Sequence, residues 1–411
     1  MKYEDVIECI ENKRRFGNKP GVIISQELLS ALGNPQKELK FVHIAGTNGK
    51  GSTAAFLSSV LNAAGIRTGM FTSPHLISFT ERIQINGNQI PKEEAASIGE
   101  LLLQLKLEGQ ATMFDYCLAM ALLYFKKERC ELVVLETGMG GRLDSTNVID
   151  APLVSIITKI GYDHTNVLGN TLAEIAAEKA GILKQGSYAV IETQDEAALE
   201  VLTDVCQKKC ISYQIADVTD LQDDTYFSQM HMKGKFQKEN AYAAILAAKE
   251  LKRQGYDITE NAIRKGISKA IWQGRMEIMS KEPFLLIDGA HNGHGVKALV
   301  ESLKELYPDE KFHFIMGVLA DKDYEEMADL ILPLAQDVVT VTPESSRALQ
   351  GVQLAEYIAG KGITARYEEK IEAVFEPFIH KQDSCGIKGK TIAFGSLYFI
   401  GDIRKLFLLS V

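Results

Sequence analysis

Short apolar runs alternate with helix-periodic stretches along most of this chain of 411 residues, and that alternation limits the fold more than any other feature. Strand–helix–strand order implies an α/β protein on largely parallel sheets. "KFVHIAG" reads as a strand and "GSTAAFLSSVLNAAG" as the helix after it, with Phe56, Leu57, Val60, Leu61 and Ala64 on one face. "RTGMFTS" is a second strand, "ERIQINGNQI" an Asn-Gly hairpin and "KEEAASIGELLLQLKL" a helix. The helix "FDYCLAMALLYFKKER" precedes two strongly apolar strands, "ELVVLETG" and "PLVSIITKI". Residues 190 to 235 mix short patterns and support no firm assignment. "FQKENAYAAILAAKELKRQG" and "TENAIRKGISKA" are helical and lead to "IWQGRMEIM". Alternation then restarts: "FLLIDGAH", a helix from about Gly295, "FHFIMGVL", "DVVTVTP" and "TIAFGSLYF". The length exceeds what one core supports. The restart therefore marks a second α/β domain, with residues 1–272 before it and 273–411 within it, the boundary falling near Gln273 and Gly274.

The net charge of -9 argues against a nucleic-acid binder working through a basic face. No apolar run is long enough to span a bilayer. The N-terminal "MKYEDVIECIENKRRFG" is charged and lacks the apolar centre of a secretory signal, so a cytoplasmic protein is expected. The cysteines Cys9, Cys117, Cys130, Cys206, Cys210 and Cys385 form no Cys-x-x-Cys pair, and Cys206 and Cys210 lack the partners a zinc site needs. Idle thiols in a reducing compartment are the expectation.

The stretch "FVHIAGTNGKGSTAAFL" holds a strand, a glycine-rich turn with Lys50, and a helix. Amides at a helix start and the helix dipole favour bound phosphate, and a lysine adds a mobile cation. The spacing departs from the common P-loop, because Gly46 stands three residues before Gly49 and Gly51 takes the place of the usual hydroxyl. The first hydroxyl comes one position later, at Ser52.

Ligands of open parallel sheets bind beyond the carboxyl ends of the strands. Glu136 ends "LVVLE", His164 follows "SIITKI", and Ser73 follows "RTGMFT". Singly, each fits an ordinary strand-end or loop residue. Together, beside a phosphate loop, a hydroxyl, a carboxylate and an imidazole favour a divalent cation, with magnesium the first candidate and manganese able to substitute. In "NTLAEIAAEKAGILK", Leu172, Ile175, Ala176, Ile182 and Leu183 mark the apolar face of a helix, and Lys179 lies on that face. Burial would lower its pKa and leave an amine able to react with CO2. Periodicity alone favours the alternative, an ammonium that snorkels to the rim.

The segments "FVHIAGTNGKGS", "FTSPHL", "LETGMGGRLDSTNVI", "DHTNVLG", "AAEKAGILK", "DGAHN", "MGVLADKDY" and "FGSLYFIGDIR" closely resemble folylpolyglutamate and dihydrofolate synthases of the Mur ligase superfamily, over nearly the whole chain. The resemblance implies an N-terminal P-loop-containing parallel-sheet domain and a smaller C-terminal Rossmann-like α/β domain. It implies that Thr47, Asn48, Gly49, Lys50, Gly51 and Ser52 form a distinct type of phosphate loop, and that Asn240, Arg275 and Asp288 contact the nucleotide. Ser73 and Glu136 would bind one magnesium, and His164 a second, together with a carbamylated Lys179. Thr112, Met113, Phe114 and Asp115, with Leu143, Asp144 and Ser145, would line the pterin side. His291 and Ser396 would lie near the incoming glutamate, and Lys50, Lys179 and His291 would be catalytic.

The implied reaction joins L-glutamate to a folate carboxylate at the expense of ATP, in a monomer whose partners are small molecules. A bifunctional enzyme that also uses dihydropteroate, a cell-wall Mur ligase, and a nucleotide switch or kinase without ligation are the alternatives. The sequence departs from the family pattern at Gly21-Val22-Ile23-Ile24, where relatives often carry Gly-Leu-Glu-Arg. It departs again at Phe236-Gln237, where they often carry His-Gln.

Overall fold

The computed structural model describes residues 1–14, 22–221, 224–380 and 389–409. Gly21 and Cys385 lie outside the described residues. The chain packs into two units, Met1–His231 with Lys238–Ile271, and Met232–Gln237 with Trp272–Val411. The segment Met232–Gln237, which nothing in the sequence sets apart, goes with the second unit.

The first unit is built on a sheet of eight strands: β1 (Phe41–Ala45), β2 (Thr68–Phe71), β3 (Ile83–Ile85), β4 (Asn88–Gln89), β5 (Leu132–Glu136), β6 (Val154–Ile157), β7 (Tyr188–Glu192) and β8 (Ser212–Ala216). Their order across the sheet is β4-β3-β2-β5-β1-β6-β7-β8. All neighbours from β2 to β8 pair in parallel, while β3 and β4 extend the edge as an antiparallel hairpin. Asn86 and Gly87 turn that hairpin with φ of 50° and 80°, as the Asn-Gly pair leads one to expect. β1, β5 and β6 are buried at every residue, which is why they read as unbroken apolar runs. β8 is the opposite case. It is an edge strand whose first three residues are exposed, so no apolar pattern marks it, and with β7 and the helix Glu196–Lys208 it occupies much of the span the sequence leaves unassigned.

Helices cover both faces. Tyr3–Glu11, Ile23–Ala31, Lys92–Leu103 and Met113–Lys127 contribute to one apolar cluster. Leu172–Lys179 and Glu196–Lys208 contribute to another, around Ile157, Ile175 and Ile191. The helix expected to run through "AGILK" stops at Lys179 and passes into a 3-10 turn, Ala180–Ile182.

The second unit has six strands: β9 (Glu277–Lys281), β10 (Phe284–Asp288), β11 (Phe312–Met316), β12 (Ala335–Thr340), β13 (Ala365–Tyr367) and β14 (Lys390–Phe394). Their order is β13-β12-β11-β14-β10-β9, parallel except for β9. Phe312, Phe314, Met316 and Phe394 fill one side of the sheet against Leu299, Leu303 and Ile331. "TIAFGSLYF" is not one strand. β14 ends at Phe394, and Leu397–Leu409 is a helix, because Gly395 turns the chain with φ of 128°.

Cys9, Cys117, Cys130, Cys206 and Cys210 are free thiols. Burial pushes Cys117 and Cys206 up to about 11 and Cys130 up to about 12, which leaves them inert. Among the described residues no helix is long and apolar enough to cross a membrane.

Candidate active site

β1 carries the chain to the carboxyl edge of the first sheet, and Gly49 caps the helix Lys50–Ala63 with φ of 91°. Space as well as conformation requires glycine here: a Cβ on Gly49 would stand 2.2 Å from Asn240 Oδ1, and one on Gly46 would stand 1.8 Å from Thr158 Oγ1. The turn is thus enclosed by the end of β6 and by the helix Lys235–Arg253, which brings the buried Asn240 to the loop. The amides of Thr47 and Asn48 donate to Lys159 O at 2.9 and 3.2 Å. Thr158 Oγ1 donates to Asn48 O at 2.7 Å, and Thr47 Oγ1 donates to Gly161 O at 3.0 Å. Ser52 is buried in the first turn of the helix.

Two lysines meet on one oxygen. Lys50 Nζ donates to Gly46 O at 3.1 Å and to Thr47 O at 3.2 Å, and Lys179 Nζ donates to Gly46 O at 2.8 Å. Lys179 is 2% exposed, so it does not snorkel. Burial, and then the nearby Lys50 ammonium, lower its pKa to about 7, while Asp163 and Asp144 oppose the shift. A large share of this side chain is therefore a neutral amine in the physiological range.

Glu136, 3% exposed at the end of β5, accepts the Ser73 amide at 3.1 Å, so the strand ends of β2 and β5 bring the carboxylate and the serine together. His164 adopts a left-handed φ of 50°, and its side chain is 46% exposed with Nε2 3.9 Å from Asp163 Oδ1. No group of three His, Cys, Asp or Glu side chains among the described residues is arranged to hold a metal. A strand-end carboxylate beside a serine still suits magnesium, which takes few protein ligands and relies on phosphate and water for the rest.

The expected pterin-side residues form a polar knot. Thr112 caps the helix Met113–Lys127, donating through its amide and its hydroxyl to Asp115 Oδ2 at 2.8 and 2.7 Å. Asp115 Oδ1 accepts Ser145 Oγ at 2.7 Å and also Ser25 Oγ, from the helix Ile23–Ala31. The sequence offers no sign of Ser25, which enters only through this long-range bond. Asp144, in turn, accepts the amides of Met139 at 2.8 Å and Thr146 at 3.0 Å, and burial raises its pKa. Thr146 links it to the wholly buried His43, whose Nε2 lies 2.8 Å from Thr146 Oγ1 and whose pKa burial lowers to about 3. The Phe114 ring packs near Phe71 with centroids 5.5 Å apart, Met113 is half-buried, and Leu143 is exposed.

In the second unit, Asp288 ends β10 and accepts the amides of Met276 at 2.9 Å and Ala290 at 2.8 Å. Burial raises its pKa and the Arg275 charge opposes the rise, with the Arg275 guanidinium packed over Gly289. His291 Nδ1 donates to Gly289 O at 2.8 Å, which makes Nε2 the basic nitrogen of the neutral ring. Ser396 is buried and accepts the Phe399 amide at 3.1 Å, capping the last helix.

The Mur ligase middle domain matches residues 44–248, and the Mur ligase glutamate ligase domain matches residues 274–390. The chain is 36% identical to a dihydrofolate synthase/folylpolyglutamate synthase of Bacillus subtilis, covering 98% of each chain. It is 32% identical to the folylpolyglutamate synthase of Lacticaseibacillus casei over 99% of both. Among solved structures, Mycobacterium tuberculosis folylpolyglutamate synthase complexed with ADP and AMPPCP is 28% identical and superposes with a TM-score of 0.86 over 98% of each chain. Escherichia coli FolC in complex with DHPP and ADP is 27% identical with a TM-score of 0.86, covering all of this chain and 98% of that one. A nucleotide-type loop on the first sheet, followed by a glutamate ligase domain on the second, places this chain in the folylpolyglutamate synthase/dihydrofolate synthase family of Mur-type, ATP-dependent ligases.

Proposed function

We propose that the protein joins L-glutamate to the γ-carboxylate of a reduced folate through an acyl phosphate. Carboxylates and amines do not condense in water at neutral pH, so the carboxylate oxygen must first become a leaving group. In the first step that oxygen attacks the γ-phosphorus of ATP and ADP departs. In the second, the glutamate amine attacks the acyl carbon, loses a proton and expels phosphate. The observation that carries this reading is the Gly46 carbonyl, where the Lys50 and Lys179 side chains meet at the mouth of a strand–turn–helix loop. The protein's own contribution is positioning and charge.

Thr47 to Lys50 wrap the phosphates, with the amides from Gly49 to Ser52 left to receive them, Lys50 offsets charge on the transferring group, and Asn240 bounds the nucleotide from its helix. Glu136 and Ser73 would hold one magnesium ion, and His164 with carbamylated Lys179 a second; bound metal neutralises phosphate charge. Lys179 has the chemistry a carbamate needs, since its amine is buried and loses its proton at about 7. The family resemblance also assigns Arg275 and Asp288 to the nucleotide. His291 and Ser396 lie near the incoming glutamate, with His291 catalytic. Thr112 to Asp115 and Leu143 to Ser145 line the pterin side. The protein acts as a monomer in the cytoplasm.

The test is Lys50→Ala assayed for ADP release that depends on both folate and glutamate. Loss of that release supports the reading, and near-normal turnover removes Lys50 from its role. Folate labelled with heavy oxygen in its carboxylate should pass label into the released phosphate; unlabelled phosphate sinks the acyl phosphate. The relatives named for both activities favour a second reading, in which dihydropteroate is also accepted. Parallel assays on dihydropteroate and reduced folate separate the two.

A further inference from the structure

The phosphate loop hangs on a segment that leaves the strand ladder after Thr158, whose amide makes a last bond to Ala45 O of β1 at 2.8 Å. Thr47 and Asn48 both donate to Lys159 O, so that carbonyl anchors the start of the loop and sets where the amides that follow, from Gly49 on, point. Residues Thr158 to Ile160 lie past the end of β6, where the ladder to β7 has stopped. Side chains from the end of β7 take over its hydrogen bonds. Glu192 Oε2 accepts the Lys159 amide at 2.9 Å, Gln194 Oε1 accepts the Ile160 amide at 2.9 Å, and Gln194 Nε2 donates to Thr158 O at 3.1 Å. Lys159 Nζ completes the bracket by donating to Thr193 O at 2.6 Å.

Glu192 is costly for a structural peg. It is 1% exposed, and its Oε1 is buried with no hydrogen-bond partner. We infer that Glu192 and Gln194 are positioning residues for ATP: they fix the Thr158–Ile160 segment and, through Lys159 O, the start of the loop whose following amides, from Gly49 on, receive the phosphates. The inference rests on the reading that this loop binds the triphosphate. Burial, and then Glu239 on the helix Lys235–Arg253, push Glu192 up to about 8, while Lys159 opposes. Through most of the neutral range the group is thus a neutral acid, which avoids adding an anion beside a loop that holds anions. Ionising it places a negative charge there, so nucleotide affinity falls as pH rises through about 8.

Kinetics in all three substrates test this. Gln194→Ala and Glu192→Ala should raise KM for ATP about tenfold, leave KM for folate and glutamate unchanged, and keep kcat at saturating ATP within about twofold. Glu192→Gln keeps the acceptor and should return KM for ATP to within about twofold of wild type. An unchanged KM for ATP in both alanine variants overturns the inference, as does an equal rise for all three substrates. Should Glu192→Ala not fold, ADP titration of wild type and Glu192→Gln from about pH 7 to about pH 9 decides. The dissociation constant should rise several-fold more in wild type than in the variant, which keeps only the pH dependence common to both, and matching profiles reject the role. If wild type binds no ADP at any pH, the nucleotide reading itself fails instead.

Discussion

The carboxyl edges of the two sheets are built on opposite terms. In the first, ionisable groups are buried with incomplete compensation: Lys179 shares one carbonyl with Lys50, and Glu192 keeps an oxygen without a partner. In the second, Asp288 accepts two amides, and β14 and β11 run into Gly395 and Gly317, where Gly317 N donates to Phe394 O at 3.2 Å and Gly395 N to Ala290 O at 3.1 Å. The difference teaches where function is held. Buried charges with unmet demands weaken the fold and persist where a ligand completes them, whereas a satisfied edge is a rigid mount.

Lys179→Met breaks the comparison most sharply. It should cost about a thousandfold or more in ligase turnover while making the protein more stable, since Lys50 still caps Gly46 O. The sign follows from the protons bound. Between about 7 and the ordinary lysine value of 10.5, the unfolded chain holds a proton that the folded protein does not, so wild-type stability rises with pH across that window. The penalty is complete below about 7, and the advantage of the variant should be a few kcal/mol there and vanish near the top of the window. Thermal melts at several pH values check this; a variant less stable at neutral pH contradicts it.

The second edge should behave in reverse. Asp288→Ala leaves two buried amides without acceptors and should lose roughly 2–4 kcal/mol, read as a lower midpoint in denaturant. A loss of activity without a loss of stability would show that this carboxylate serves the nucleotide alone. Asp115→Asn sharpens the contrast on a smaller scale. Its knot with Thr112, Ser145 and Ser25 joins three elements, so KM for folate should rise several-fold while KM for ATP holds. Away from both edges, Thr171→Ala removes the cap that Glu174 N uses at 3.2 Å and should cost about 1 kcal/mol with no kinetic effect.

Much of this architecture was legible in the residues. β1, β5 and β6 announced themselves because both faces are covered, and the hairpin through its Asn-Gly turn. β8 was hidden because an edge strand with exposed side chains carries no apolar signal. Lys179 was visible as an anomaly on an apolar face, but periodicity alone favoured an ammonium turned out to the rim, and the structure buries it instead. Glu192, Gln194 and Ser25 gave no warning, since each acts only through one or two bonds to a distant backbone or carboxylate.

By itself the sequence determined the alternation of strands and helices, the glycine turn before Lys50 and the restart that opens a second sheet, because these depend on neighbours a few positions apart. Only tertiary structure decided that Lys179, 133 positions beyond Gly46, would share its carbonyl with Lys50, and that the end of β7 would brace the loop. The physical reason is that pattern encodes which face a side chain takes, whereas the order of strands across the sheet decides what it meets there.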